Sequence, residues 1–262
     1  MTRPPRKEQE IGPGYERIGE FYDLFASDAD LSLYLKYAKK RGSPVLDIAA
    51  GAGRVTLALA REGLEVTALE QSPSMLGEMR KRVRSLPREI AQRVKIVEGD
   101  MTHFSIGDEY RLIIIPGSFA HAMTTERQLS TLTCIRKHLA PGGLFILDLH
   151  VGALLPEEMK FEEPPAFLPD GRTVVRSGVI HTDMVRQIMK VNLQYTVSHA
   201  LGKSTEDRQV IEVTSGAAVI FNREADLLIR MAGFVIEEEL GGFDGRPYTP
   251  VCDRRILLLR GL

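Results

Sequence analysis

Three carboxylates stand at the ends of three successive apolar runs: Asp47 in VLDIAAGAGR, Glu70 in VTALE and Asp100 in VKIVEGD. The first run opens into a loop of small residues, Ala49 to Gly53, before a helical stretch begins near Val55. Small residues let the backbone approach a ligand closely, and the following helix presents free N–H groups and a positive dipole end. A nucleotide-like ligand with an anionic tail fits such a loop. Glu70 ends the next run, where a carboxylate accepts both hydroxyls of a ribose. Asp100 with Met101 ends the third, where a carboxylate is placed to accept from an adenine amino group. Glycines after a buried strand also serve plain turns, so the glycine pair alone decides little; the three linked run ends together describe an adenosine site. Gly51-Ala52-Gly53-Arg54-Val55-Thr56 lacks the third glycine or alanine of a nicotinamide-binding loop.

A second group of residues faces the same end of the pattern. The fourth run, LIIIP, leads into Gly117-Ser118-Phe119-Ala120-His121, and the fifth ends at His150. Ligands of open α/β sheets sit at the carboxyl ends of strands, so the loop is placed beside the reacting atoms. A histidine near its ordinary pKa of about 6.5 can take a proton or orient a nucleophile. His121 is the candidate for that work, the other reading being a residue that packs beside the following helix. His150 is either a contact to the second substrate or a solvated strand end. The loop GGFDGRPYTP (241–250) offers Arg246 and Tyr248 as pocket contacts, or is a plain hairpin turn.

The elements that must position these residues follow from hydrophobic periodicity. Residues 1–14 are charged and proline-rich and read as a mobile tail. Ile18, Phe21, Tyr22 and Phe25 recur at helical spacing, as do Leu31, Leu33, Tyr34, Leu35 and Ala38, so two amphipathic helices precede the first strand. Runs at 45–48, 66–69, 94–97, 112–115 and 144–149 are almost uninterrupted by polar residues, as in parallel strands covered by helices on both faces. Residues 171–180, 184–197 and 209–221 instead alternate polar and apolar, which predicts antiparallel strands inserted over 155–220. A helix over 223–232 and runs at 235–240 and 255–259 predict a closing antiparallel hairpin. One domain, 15–262, carries all of this.

Composition bounds the partners. A net charge of −1 gives no field that attracts a polyanion, and the basic residues between Arg80 and Lys95 read as a solvated face, so nucleic acid is disfavoured. No apolar run approaches the roughly 20 residues that span a bilayer, and the chain is expected in the cytoplasm, without membrane contact. Cys134 and Cys252 suggest neither a disulfide framework nor a metal site.

These motifs resemble the class I S-adenosylmethionine-dependent methyltransferases across nearly the whole chain, from Tyr15 to Leu259. Asp47 to Gly53 is similar to the family's first motif, with Ala49 where glycine is commoner, and LAPGGLFILDLH (139–150) is typical of it. The resemblance implies an α/β, Rossmann-like doubly wound sheet of seven strands with the last antiparallel, here with an antiparallel β insertion serving as a lid or a homodimer interface. It implies S-adenosylmethionine as cofactor and S-adenosylhomocysteine as product. By carry-over, the backbone around Ala49 and Gly51 holds the methionine end, with Asp47, Gly53, Arg54 and Pro116 in the same site. Glu70 takes the ribose, Asp100 and the Met101 backbone the adenine, and Gln71 and Met75 flank the nucleoside.

The 117–121 loop is similar to that of glycine N-methyltransferase, and sugar-amine N,N-dimethyltransferases carry a histidine in the matching place. Both imply a nitrogen acceptor served by Ser118, Phe119 and His121. Tyr22 matches a tyrosine that in these enzymes lies across the donor site, where an aromatic face attracts the sulfonium; simple helix packing is the other reading. Glycine N-methyltransferase grips its substrate carboxylate with an arginine near the place of His150, and the lack of one in that segment argues against glycine. The implied function is methyl transfer to a small-molecule amine, with O-methylation or a non-catalytic cofactor-binding protein as alternatives.

Overall fold

A computed structural model describes residues 15–150, 156–199 and 208–262; the segment 1–14, read above as a tail, lies outside the described residues. The chain runs α1 (Gly19–Tyr22), α2 (Leu31–Arg41), β1 (Val45–Ile48), α3 (Arg54–Arg61), β2 (Val66–Glu70), α4 (Pro73–Arg84), α5 (Arg88–Ala91), β3 (Val94–Glu98) and β4 (Tyr110–Ile115). It continues through α6 (Thr125–His138), β5 (Leu139–His150), β6 (Glu158–Glu162), β7 (Ala166–Phe167), β8 (Arg172–Asp183), β9 (Ile188–His199) and β10 (Arg208–Ala218). It closes with α7 (Asn222–Met231), β11 (Phe234–Leu240) and β12 (Arg254–Gly261).

One sheet has seven strands in the order β11-β12-β5-β4-β1-β2-β3, with β12 antiparallel to both its neighbours and the remaining pairs parallel. The strands lack polar alternation because successive side chains feed two different cores. Leu46, Ile48, Ile113, Ile115, Phe145 and Leu147 pack against Leu132 and Ile135 of α6 and Leu228 and Ile229 of α7. Val45, Leu112, Ile114, Leu144 and Ile146 pack on the opposite face against Leu33, Tyr34 and Tyr37 of α2 and Val55 and Leu59 of α3. A strand with helices on both faces leaves few positions for a polar residue.

The second sheet has the order β10-β9-β8-β6, with β7 pairing to β8. The expected strand from residue 184 begins at Ile188, because 184–187 form a turn in which Asp183 Oδ1 accepts from the Val185 and Arg186 amides. β6 went unpredicted: EMKFE is mostly exposed at a sheet edge, where polar residues are tolerated and periodicity fades.

The first predicted helix is also different. α1 is a single turn continued by a 3₁₀ turn at Asp23–Phe25, after which Ala26 is extended. Its apolar residues serve the second sheet: Ile18 and Phe21 are buried with Val174, Leu193, Tyr195, Val197, Ile211 and Val213. Burying such side chains stabilises by roughly 1.5–3 kcal/mol each, so packing rather than propensity fixes this strap. On its other side the strap meets the main domain through polar contacts, with Asp23 paired to Arg82 and the Gly19 amide donating to Ser74 Oγ at 3.1 Å. A Cβ at Gly19 would lie 2.5 Å from the Ser74 carbonyl oxygen, which requires glycine for this approach.

Candidate functional site

A cavity of about 370 Å³ opens at the carboxyl ends of β1, β2, β4 and β5, with strap residues Tyr15, Tyr22, Asp23 and Ala26 in its wall. No residue of β6 to β10 lines it. The inserted sheet, expected as a lid or an interface, stands behind the wall, packed on the strap and touching His121 through the Gly216 carbonyl.

On the β1–β2 side, Asp47 is almost fully buried and its Oδ2 accepts from Thr56 Oγ1 at 2.6 Å, while Oδ1 has no partner. Burial pushes its carboxyl up to about 7, against the smaller opposing pull of the Thr56 hydrogen bond. The loop that follows reaches the left-handed region at Ala49 (φ 53°), which explains the commoner glycine there, and again at Gly53 (φ 88°). A Cβ on Gly53 would also lie 2.8 Å from Met79 Cγ. Gly53 faces this packing, whereas Ala49, Gly51 and Arg54 line the cavity. Arg54 is held by Asp30 through two 2.6 Å hydrogen bonds.

Glu70 organises the loop itself. Its Oε2 accepts from the Gly51 amide at 2.8 Å and its Oε1 from the Gln71 and Ser72 amides at 3.0 and 2.8 Å. A carboxylate has about four acceptor sites, so capacity remains for a ligand. Gln71 and Met75 line the wall beside it.

The third strand end behaves differently from expectation. Asp100 takes the Thr102 amide at 2.8 Å and Arg127 Nη2 at 3.1 Å and is absent from the wall, which its neighbours Gly99 and Met101 form instead. The basic run is largely engaged as well: Arg80 pairs with Glu98, Lys81 and Arg82 with Glu78, and Lys95 with Asp108.

On the β4–β5 side, Pro116, Gly117, Ser118 and His121 line the cavity, whereas Phe119 is 1% exposed and belongs to the core. His121 Nδ1 lies 2.8 Å from the carbonyl of Gly216 in β10. A carbonyl only accepts, so Nδ1 carries the proton and Nε2 keeps its lone pair. Burial holds this imidazole below its ordinary pKa, hence neutral near pH 7. Tyr15, which nothing in the sequence marked, stands edge-on to His121 (5.6 Å between centroids) and to Tyr22 (5.0 Å).

The 241–250 loop contributes Phe243 to the wall rather than the expected residues. Arg246 binds the Gly241 carbonyl and Asp244, and Tyr248 accepts from Asn222 Nδ2 while Arg255 lies over its ring. His150 does line the cavity, and so does an arginine that reading the segment around His150 could not find: Arg254, which β12 brings against β5. An arginine thus does stand beside His150, brought from elsewhere in the chain, but it is paired with Asp148 at 2.6 Å.

Residues 45–143 match the model of a methyltransferase domain. That segment of the chain is a methyltransferase domain. Across 87% of its length it is 24% identical to dTDP-3-amino-3,4,6-trideoxy-alpha-D-glucopyranose N,N-dimethyltransferase of Streptomyces venezuelae, covering 91% of that protein. The CcbJ methyltransferase from Streptomyces caelestis has the same fold, with a TM-score of 0.76 at 20% identity, over 94% of this chain and 96% of that one. So does CalS10, an amino pentose methyltransferase from Micromonospora echinaspora solved with S-adenosylmethionine bound (TM-score 0.65, 19% identity, 92% and 93% covered).

S-adenosylmethionine, the molecule bound in CalS10, fits the residues present. The unpartnered Asp47 Oδ1 lies at the wall for a donor to satisfy, the loop at Gly51 leaves open space where a side chain would stand, and Glu70 retains acceptor capacity. Among the wall's acidic side chains Asp23, Asp30 and Asp148 are paired to arginine, leaving Glu70, and Asp47 where it ionises, to favour a cationic ligand.

Asp47 also predicts a pH dependence. The folded state binds its proton more tightly than the unfolded chain, so this group's contribution to stability is full below about pH 4 and is lost as pH rises toward about 7. Asp47→Asn, which keeps an acceptor for Thr56, should therefore gain stability relative to wild type between pH 5 and 7.5 in thermal denaturation; parallel melting curves would contradict the assignment.

Proposed function

We propose that this methyltransferase transfers the methyl group to an amine nitrogen of a small metabolite or natural product. The observation that carries the reading is the His121 ring, neutral and with Nε2 free, in the cavity wall beside Tyr15 and Tyr22. The reading draws support from the amino-sugar and amino-pentose substrates in the names of the relatives.

S-adenosylmethionine supplies an electrophilic methyl on a sulfonium, so the protein's task is chiefly alignment and exclusion of water. Tyr22 and Tyr15 offer aromatic faces to cationic groups, and the strap that bears them walls the cavity. Glu70 and the open space at Gly51 hold the cofactor half. Nε2 of His121 orients the acceptor nitrogen and receives its proton, a role open to a neutral imidazole and closed to a charged one.

Incubation with S-adenosylmethionine carrying a labelled methyl and a panel of amines and their hydroxyl counterparts tests this reading. The expected product carries the label on nitrogen, located by fragmentation in mass spectrometry. Labelling confined to oxygen would favour the O-methyltransferase alternative, and failure to release S-adenosylhomocysteine with any acceptor would favour a non-catalytic binding protein.

A further inference from the structure

We propose that Arg254 and His150 form a specificity-determining subsite that receives an uncharged hydroxyl or carbonyl oxygen of the acceptor. The proposal rests on reading the cavity as an amine-methylating site. Arg254 opens β12 and pairs in register with His150 at the end of β5. Both residues therefore stand on the β4–β5–β12 side of the sheet, across β4 from the β1–β2 ends that carry Asp47 and Glu70.

Hydrogen-bond bookkeeping fixes what this wall offers. Arg254 Nη1 donates to both oxygens of Asp148 at 2.6 Å, and Nη2 lies 3.0 Å from Nε2 of His150. A guanidinium has five N–H donors and no acceptor, so Nε2 of His150 must accept and the ring proton of the neutral imidazole sits on Nδ1. Burial, followed by the adjacent Arg254 charge, keeps His150 below its ordinary pKa and so neutral. Three of the guanidinium donors are engaged, which leaves two, together with His150 Nδ1–H. Arg254 and His150 themselves present donors and no free acceptor, and their natural complement is oxygen.

Charge decides which kind of oxygen. Asp148 is 2% exposed and compensates Arg254, and the neighbouring Arg54 is compensated by Asp30. No surplus positive charge remains to offset the desolvation of a carboxylate or phosphate. An uncharged oxygen needs only the hydrogen bonds, and Phe243, 4.7 Å from the guanidinium, supplies an apolar flank for the carbon beside it. The pair thus favours amino alcohols over amino acids.

Three matched amines test the subsite: 2-aminocyclohexanol, cyclohexylamine and 2-aminocyclohexanecarboxylate. Their binding to the S-adenosylhomocysteine complex of the full chain is measured by calorimetry, alongside methylation rates. The amino alcohol is expected to bind roughly tenfold more tightly than cyclohexylamine, the effect of one or two hydrogen bonds, and more tightly than the amino acid. His150→Phe leaves the Asp148–Arg254 pair intact, and Asp148→Asn combined with Arg254→Met leaves no buried charge unpaired. Each should abolish the preference by raising KM for the alcohol, with the KM of cyclohexylamine and the affinity for S-adenosylhomocysteine unchanged.

Equal binding of alcohol and cyclohexylamine, preference for the carboxylate, or failure of all three to bind would overturn the proposal. A loss of cofactor affinity in the variants would also overturn it, by placing the pair on the methionine tail. Selective binding of the alcohol without methylation would support the subsite and refute the amine-methylating reading, so the two failures are separable.

Discussion

Glu70→Ala is expected to weaken S-adenosylmethionine binding by roughly 10- to 100-fold, the loss of one or more charged hydrogen bonds, about 1–3 kcal/mol. The wild-type carboxylate is 7% exposed and receives the amides of Gly51, Gln71 and Ser72. Its removal takes away the acceptor proposed for the ribose and leaves three N–H groups without their partner, so the loop is expected to lose its shape along with its ligand. Thermal stability should fall too, by a few kcal/mol if those amides stay dry. Calorimetric titration measures the first effect and denaturation the second. Cofactor affinity equal to wild type would remove Glu70 from the site, whereas lower stability alone would leave it only as the support of the glycine loop.

His121→Ala should lower kcat by about 10²–10⁴, the usual range for loss of a positioned proton acceptor, with cofactor affinity within about twofold. The separation follows from position: the ring stands on the β4–β5 side, whereas Asp47 and Glu70 belong to β1 and β2. The fold should tolerate the change, since one hydrogen bond to the Gly216 carbonyl is lost, about 1 kcal/mol. Steady-state kinetics on the best amine acceptor decides; turnover at the wild-type rate would show that the ring merely packs.

The β1–β2 side of the candidate site was legible in the sequence because its residues lie within short segments whose burial is enforced from both faces. Asp47, Ala49, Gly51 and Glu70 follow strands that contain almost nothing but core residues, so the strand ends could be located and the loops read from them. Asp100 shows the limit. Its position after a strand was correct, but the helix that brings Arg127 to it is remote in sequence, and the carboxylate turned to that partner.

The acceptor half is assembled from distant segments and was correspondingly hard to see. Arg254 reaches His150 and Asp148 only because β12 inserts beside β5, and Tyr15 reaches His121 only because the second sheet holds the strap. The strap's helical periodicity was real, yet its apolar residues answer to a sheet rather than to a long helix. Edge strand β6 gave no signal, since exposed charged residues satisfy an edge as well as a loop.

The bond from His121 Nδ1 to the Gly216 carbonyl ties two parts of the fold to one atom. The partner that selects which ring nitrogen keeps its lone pair belongs to the inserted sheet, the same sheet against which the strap packs. The tautomer of the ring and the placement of Tyr15 and Tyr22 therefore depend on one packing arrangement, and a substitution that shifts β10 would disturb both.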